Sequence, residues 1–262
     1  MKLSVSNIAW RAENDEEMYK LLRDTGFQGL EIAPTRIFAQ SPYDRLDEAS
    51  AFASELKEKY GLSIPSIQSI WYGRKECIWG SESEREILAG YTKKAVDFAA
   101  AVNCSNLVFG CPRNRNIPEN GNAETAHDFF KDIGDYAHGR GTCIGLEANP
   151  PIYNTNFINT TKEAIDLIRE TGSDGLKLNL DLGTMICNDE GLDILKGNED
   201  LINHVHISEP GLSVVKERKI YLELKDMLEE AGYTGFVSVE MGSSVSDQEL
   251  RDTLRYISSI FG

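Results

Sequence analysis

The sequence predicts a closed barrel of eight parallel strands, each followed by a helix: a (β/α)8 TIM barrel. Three observations lead there. Short β-branched apolar runs alternate with longer segments of helical period from one end of the chain to the other. Eight such units follow one another, and parallel neighbours need crossover connections of the kind these helices supply. The chain has 262 residues, close to the roughly 250 of this architecture. An open doubly wound sheet would use the same elements, but eight units without a break favour closure. No shift in composition and no Gly/Ser linker divides the chain, so residues 1–262 read as a single domain.

The first apolar run is Leu3 to Ile8, and a helix opens at Asn14 or Asp15, with Glu16 and Glu17 suited to its positive first turn. Gly29 to Ile32 is the second strand, followed by a helix from Leu46 to Tyr60 that Gly61 ends. The third run is Ser63 to Ile70, with a helix from Glu84 to Val102 after it. Asn106 to Phe109 and Thr142 to Leu146 are the fourth and fifth strands, separated by a helix over Glu124 to Arg140. Thr161 to Glu170 is helical and leads to the sixth strand, Leu176 to Leu180. A short helix is expected around Asp189 to Leu195, before the seventh strand at Leu201 to Ile207. A helix from Ile220 to Glu230, the eighth strand Phe236 to Val239 and a helix from Gln248 to Ile260 complete the pattern.

Composition narrows the function. With 42 acidic and 27 basic residues the formal charge is −15, which repels phosphate backbones and anionic membranes. Nucleic acid and membrane partners are therefore not expected. Five cysteines without a CxxC pair argue against a zinc ribbon and a disulfide framework. Neither a signal peptide nor a membrane-spanning run is evident, so the default expectation is a cytoplasmic protein.

The longest connections are Trp71 to Ser83, Gly110 to Ala123, Asn149 to Thr160 and Ser208 to Lys219. All leave the C-terminal ends of strands, where barrel enzymes build their sites. The opposite connections are short and marked by glycine at Gly26, Gly61, Gly172 and Gly232.

Polar residues end the apolar strands on that functional face. Glu147 closes the fifth strand, Asp181 the sixth, His206 the seventh and Glu240 the eighth. Singly, an acid at a strand end is most often a helix N-cap or a solvated loop residue. Four on adjacent strands at matching heights are different, because three carboxylates buried together without a cation are very costly. One divalent metal ion resolves that cost. Three carboxylates and an imidazole suit Mn²⁺ best, with Mg²⁺, Co²⁺ or Zn²⁺ also compatible. His204 lies nearer the middle of its strand and reads as a core or supporting histidine.

Further candidates surround this cluster. Glu31 ends the second strand and Gln68 lies late in the third; both are candidate substrate contacts, while Glu31 could instead meet a partner that supports the metal ligands, or form a structural salt bridge. Trp10, Trp71 and Tyr72 follow strands one and three, where they form an apolar wall over a sugar or are simply buried loop aromatics. Arg113 and Arg115, beyond strand four, offer guanidinium groups for a phosphate or carboxylate, or offset the acidic mouth. Asn149 and Glu209 follow strands five and seven as additional substrate-binding candidates. Cys111 has no evident histidine partner and is not read as a nucleophile.

Taken together, Gly29-Leu30-Glu31, Leu146-Glu147-Ala148-Asn149-Pro150, Leu180-Asp181-Leu182-Gly183, His204-Val205-His206-Ile207-Ser208-Glu209-Pro210 and Val239-Glu240-Met241 resemble the xylose isomerase-like barrel superfamily of sugar isomerases and epimerases. The superfamily also includes the AP endonuclease family 2 type. The resemblance covers essentially the whole chain and implies that Glu147, Asp181, His206 and Glu240 hold the metal. A subgroup described as sugar phosphate isomerase/epimerase carries phrases similar to Phe109–Arg115 and Asn149–Phe157. The chain departs from the ketose epimerases at Thr184, where they often have histidine, and at Leu212, where they place an arginine that only a folded-back Arg218 can replace. Glu209 stands where aspartate is usual.

The resemblance implies a metal-dependent isomerase or epimerase of a sugar or sugar phosphate. Its reaction would be proton transfer through an enediolate, with Glu147 and Glu240 as the acid/base pair. The same intermediate admits dehydration of a keto-polyol such as an inosose, and a non-catalytic sugar-binding barrel is the rival outside enzymology. An endonuclease would want more histidines than the four present and a basic groove. Related barrels are frequently homo-oligomers.

Overall fold

Apolar residues at alternate positions of the N-terminal segment, Leu3 and Val5, are buried, and they lie in β1 (Lys2–Ser6). The computed structural model describes residues 1–262. Seven further strands follow: β2 (Gly29–Glu31), β3 (Ser66–Ile67), β4 (Asn106–Phe109), β5 (Ile144–Leu146), β6 (Leu176–Asp181), β7 (Ile202–Ile207) and β8 (Phe236–Val239). All pairings are parallel. The ladder runs β2-β1-β8-β7-β6-β5-β4-β3. Isolated bridges Gly29 to Ser63 and Ile32 to Ile67 join its two ends, with Leu30 N donating to Ser63 O at 2.9 Å and Gln68 N to Ile32 O at 2.9 Å. The sheet is thus a nearly closed barrel, as the alternation of elements predicts, and the open arrangement is excluded.

The helices are α1 (Asp15–Asp24), α2 (Pro34–Ile37), α3 (Leu46–Tyr60), α4 (Glu82–Ala101), α5 (Ala123–Gly139), α6 (Thr161–Thr171), α7 (Leu182–Cys187), α8 (Lys219–Glu230) and α9 (Asp247–Phe261). Reciprocal side-chain caps start three of them, through Ser81 with Glu84, Thr160 with Glu163 and Ser246 with Glu249. Each pair satisfies backbone donors that a helix start leaves free. Gly61 ends α3 with φ 72°, a left-handed conformation that glycine adopts without steric cost. No helix is long and apolar enough to cross a membrane.

Two departures from the sequence pattern have clear causes. β3 is only two residues long: Pro65 lacks the amide proton that a longer ladder would use before it, and Ser69, with φ 55°, leaves extended geometry after it. The short helix expected at 189–195 forms earlier, as α7, and only a 3-10 turn occupies Leu192–Leu195. Asp181 moves the start forward: its side chain accepts from the Gly183 and Thr184 amides and caps the helix directly at the strand end.

A register shift between β6 and β7 at Leu178/Asn179 aligns Asn179 with His204 and Asp181 with His206. Such a bulge re-aims side chains. Here it sets both histidines against the polar face of β6.

Candidate metal centre

Strand alternation decides what enters the barrel mouth. On β6, Leu178 and Leu180 are buried in the apolar core, while Asn179 and Asp181 share the other face. His204 and His206 share one face of β7. Glu147 and Glu240 each stand one residue beyond β5 and β8, held there by Glu147 N donating to Phe109 O at 3.1 Å and Glu240 N to Ile207 O at 3.0 Å. One side-chain ligand atom from each of Glu147, Asp181, His206 and Glu240 lies within 4.8 Å of the others.

His206 is at the centre and fully buried. Its Nδ1 is 3.1 Å from Glu147 Oε1 and 3.3 Å from Glu240 Oε2. The carboxylates are held in turn. Asn179 Nδ2 donates to Glu147 Oε1 at 2.9 Å, Asn149 Nδ2 to Glu147 Oε2 at 3.1 Å and Gln68 Nε2 to Glu240 Oε1 at 3.0 Å. Asp181 accepts from the amides of Gly183 and Thr184 and from the hydroxyls of Thr184 and Ser208. Those four bonds occupy its lone-pair sites, so binding a cation requires one of them to yield.

The electrostatics express a surplus of negative charge. Burial pushes the Glu240 carboxyl up to about 7, opposed by the adjacent His206 and reinforced by Glu147 and Asp181. Burial, with Glu147 beside it, also raises Asp181. Burial works against a charged His206, yet Glu31, Glu240 and Glu147 hold its pKa well above the usual imidazole range. A divalent cation among these atoms would replace the imidazolium proton and satisfy all three carboxylates. The donor set of three carboxylates and one imidazole nitrogen fits such an ion.

Other candidates from the sequence fall into two groups. Gln68 and Asn149 line the cavity above the cluster together with Glu147, Asp181 and Glu240. Glu31 does not: it has no exposed surface, and its Oε2 meets His206 Nε2 at 2.9 Å beneath the mouth, so the structural alternative replaces the substrate contact. Trp71 is packed edge-on against Phe109 and Phe129 and donates to Thr92 Oγ1 at 2.8 Å. Trp10 is buried under Arg36 and bonded to Asp15. Neither tryptophan walls the cavity; both are structural aromatics.

The arginines do not form an anion clamp either. Arg115 is fully buried and donates to the carbonyls of Glu147 at 2.7 Å and Ile158 at 3.1 Å, so it braces the loop that carries Glu147. Arg113 is exposed and does not line the cavity. Glu209 pairs with Arg218 through two bonds of 2.6 Å, which removes both from substrate contact and leaves Leu212 on the wall without an arginine substitute.

The cavity measures about 180 Å³ and no basic side chain lines it. Tyr153, Val108 and Leu212 complete its sides. Gly211 N donates to the Tyr153 hydroxyl at 2.9 Å, tying the loop after β5 to the loop after β7. Three non-glycine residues on the rim, Ser69, Cys111 and Leu212, have φ of 55°, 44° and 53°; strained backbone of this kind collects at functional sites. Sequence reading missed Asn179 and Tyr153. An amide between leucines of a buried strand was a usable signal for Asn179, whereas Tyr153 depends on a loop path that no local pattern specifies.

Residues 19–260 match the family model described as xylose isomerase-like TIM barrel. No curated protein matches the chain. Among solved structures, the 3-keto-D-glucoside 4-epimerase of E. coli in its apo form superposes with a TM-score of 0.79 at 22% identity, over 99% of each chain. The D-psicose 3-epimerase of Clostridium cellulolyticum H10, solved with D-tagatose, gives 0.80 at 16% identity, over 100% of this chain and 98% of that one. An AP endonuclease of family 2 from Brucella melitensis gives 0.74 at 18% identity, over 99% of each chain. At these identities the likeness establishes the fold.

Proposed function

Since this chain belongs to the xylose isomerase-like TIM barrel family, we propose that it is a divalent-metal-dependent isomerase or epimerase of an unphosphorylated monosaccharide ketose. One observation carries the reading. Two carboxylates from different strands, Glu147 and Glu240, flank one imidazole in a cavity too small for a nucleotide and without a cationic side chain for a phosphate. Drug-sized ligands fill pockets of roughly 300–1,000 Å³, and the space here, about 180 Å³, suits a single sugar.

Glu147, Asp181, His206 and Glu240 would hold the ion, manganese by preference for an oxygen-rich set. Bound there, a divalent cation supplies Lewis acidity to the oxygens of a hydroxyketone. The chain's own groups do the rest. Glu147 and Glu240 both line the cavity and both approach Nδ1 of His206, a pair of carboxylates that would take a proton from the carbon beside the carbonyl and return one elsewhere. Return to the opposite face of the same carbon epimerises; return to its neighbour isomerises. Gln68 and Asn179 fix the carboxylates for that exchange. Asn149 Oδ1 is buried without a hydrogen-bond partner, an acceptor for a sugar hydroxyl. The Tyr153 hydroxyl accepts from Gly211 and keeps its own proton to donate.

The test is incubation of manganese-loaded protein in D₂O with a panel of ketoses and their phosphate esters, followed by NMR. Deuterium should enter beside the carbonyl of a free ketose, and Glu240→Gln should abolish it. Exchange confined to phosphate esters would refute the substrate class. Absence of exchange with every ketose would remove the reaction.

A further inference from the structure

We propose that Glu31 is a positioning residue of the metal centre, keeping the His206 proton on Nε2 so that Nδ1 is presented bare to the ion. The inference rests on the metal-centre reading above and adds a residue that touches neither the cavity nor the ion. Glu31 is fully buried on β2. Its Oε2 is 2.9 Å from His206 Nε2, and Gln68 Nε2 donates to its Oε1 at 2.9 Å, which prevents the carboxylate from turning away. His204 Nε2 lies 3.1 Å from the same Oε2, so Glu31 sits between the two imidazoles, with His206 the nearer.

The need for such a group follows from what faces the other side of the ring. Nδ1 meets Glu147 at 3.1 Å and Glu240 at 3.3 Å, two acceptors that would draw the single proton of a neutral imidazole onto the nitrogen meant for the ion. The Glu31 carboxylate at Nε2 competes with them, and Asn179 Nδ2, 3.3 Å from Nδ1, offers a donor that also favours a bare Nδ1. A hydrogen-bonded carboxylate behind a ligating histidine fixes both tautomer and ring orientation.

Glu31→Gln tests this with little change of shape. Gln68 donates to the Oε1 position, so the new amide oxygen belongs there and its NH₂ faces His206 Nε2. Nε2 then becomes an acceptor and the proton moves to Nδ1. Manganese binding followed by electron paramagnetic resonance should weaken about 10–100-fold, with the folded circular dichroism spectrum retained. A variant that binds within about threefold of the unmodified protein would overturn the role of Glu31 and leave the centre standing. No binding by the unmodified protein would overturn the centre itself. A second measurement avoids dependence on the variant's folding: in ¹⁵N-histidine-labelled, zinc-loaded protein, His206 should show a metal-bound Nδ1 and a protonated Nε2. Zinc on Nε2 would overturn the inference.

Discussion

Gly110→Ala isolates the geometry of the centre from the stability of the barrel. A Cβ at position 110 would lie 2.8 Å from Glu147 Oε2 and 3.3 Å from Asn149 Oδ1. Ordinary contact begins near 3.4 Å, so the Glu147 carboxylate must retreat by about 0.6 Å, beyond the tolerance of about 0.5 Å for a preorganised site. The retreat stretches its 3.1 Å bond from Asn149, at a cost of about 0.5–1.5 kcal/mol. Replacing glycine by alanine returns about 0.4–1 kcal/mol through the unfolded chain. Net stability therefore changes by less than about 1 kcal/mol, or about 2–4 °C in Tm for a chain of this length. Manganese affinity should fall about 10–100-fold, the usual effect of disturbing groups around a metal, equal to roughly 1.4–2.7 kcal/mol. Calorimetry gives the first quantity and a manganese titration the second. An unchanged manganese affinity in a variant with unchanged Tm would refute the placement of Glu147 beside the ion.

Gly90→Ala should raise Tm by about 1–4 °C with manganese affinity unaltered, because Gly90 lies exposed inside α4 with open space around its Cβ position and helical glycine costs about 0.5–1 kcal/mol relative to alanine. Arg115→Met should destabilise by about 2–6 kcal/mol, as two buried carbonyls lose a donor at roughly 1–3 kcal/mol each; urea unfolding measures this, and a loss under 1 kcal/mol would contradict a bracing role. With a thiol reagent at pH 8, Cys77 and Cys187, both partly exposed, should react first. Burial pushes the Cys143 thiol up to about 12 and raises Cys104 as well, so these two buried cysteines should stay unmodified until the protein unfolds, as peptide mapping would record.

Much of this molecule is readable from sequence where the signal is local. α3 occurs at Leu46–Tyr60 as the helical period and Gly61 predict, and β4 and β8 match their apolar runs. The four polar residues at the ends of β5 to β8 stand out because each follows an apolar run, on four adjacent strands at matching heights. Their meeting within 4.8 Å follows from parallel register. Glu31 shows the limit of that signal. It ends an apolar strand in the same manner, yet it lies within the ladder opposite Ser6, whereas Glu147 and Glu240 stand one residue past theirs. The roles of Arg115, Trp71 and Tyr153 depend on loop paths and packing across the chain, which neither period nor composition encodes. Asp181 shows that a helix cap and a place in a cluster can belong to one residue.

Four adjacent strands would build one metal centre from the residues at their ends. Elemental analysis of the purified protein beside a Glu240→Ala/His206→Ala double variant tests it most directly. One divalent ion per chain is expected in the unmodified protein and none in the folded variant. No ion in the unmodified protein after incubation with Mn²⁺, or an equal content in both proteins, would contradict it.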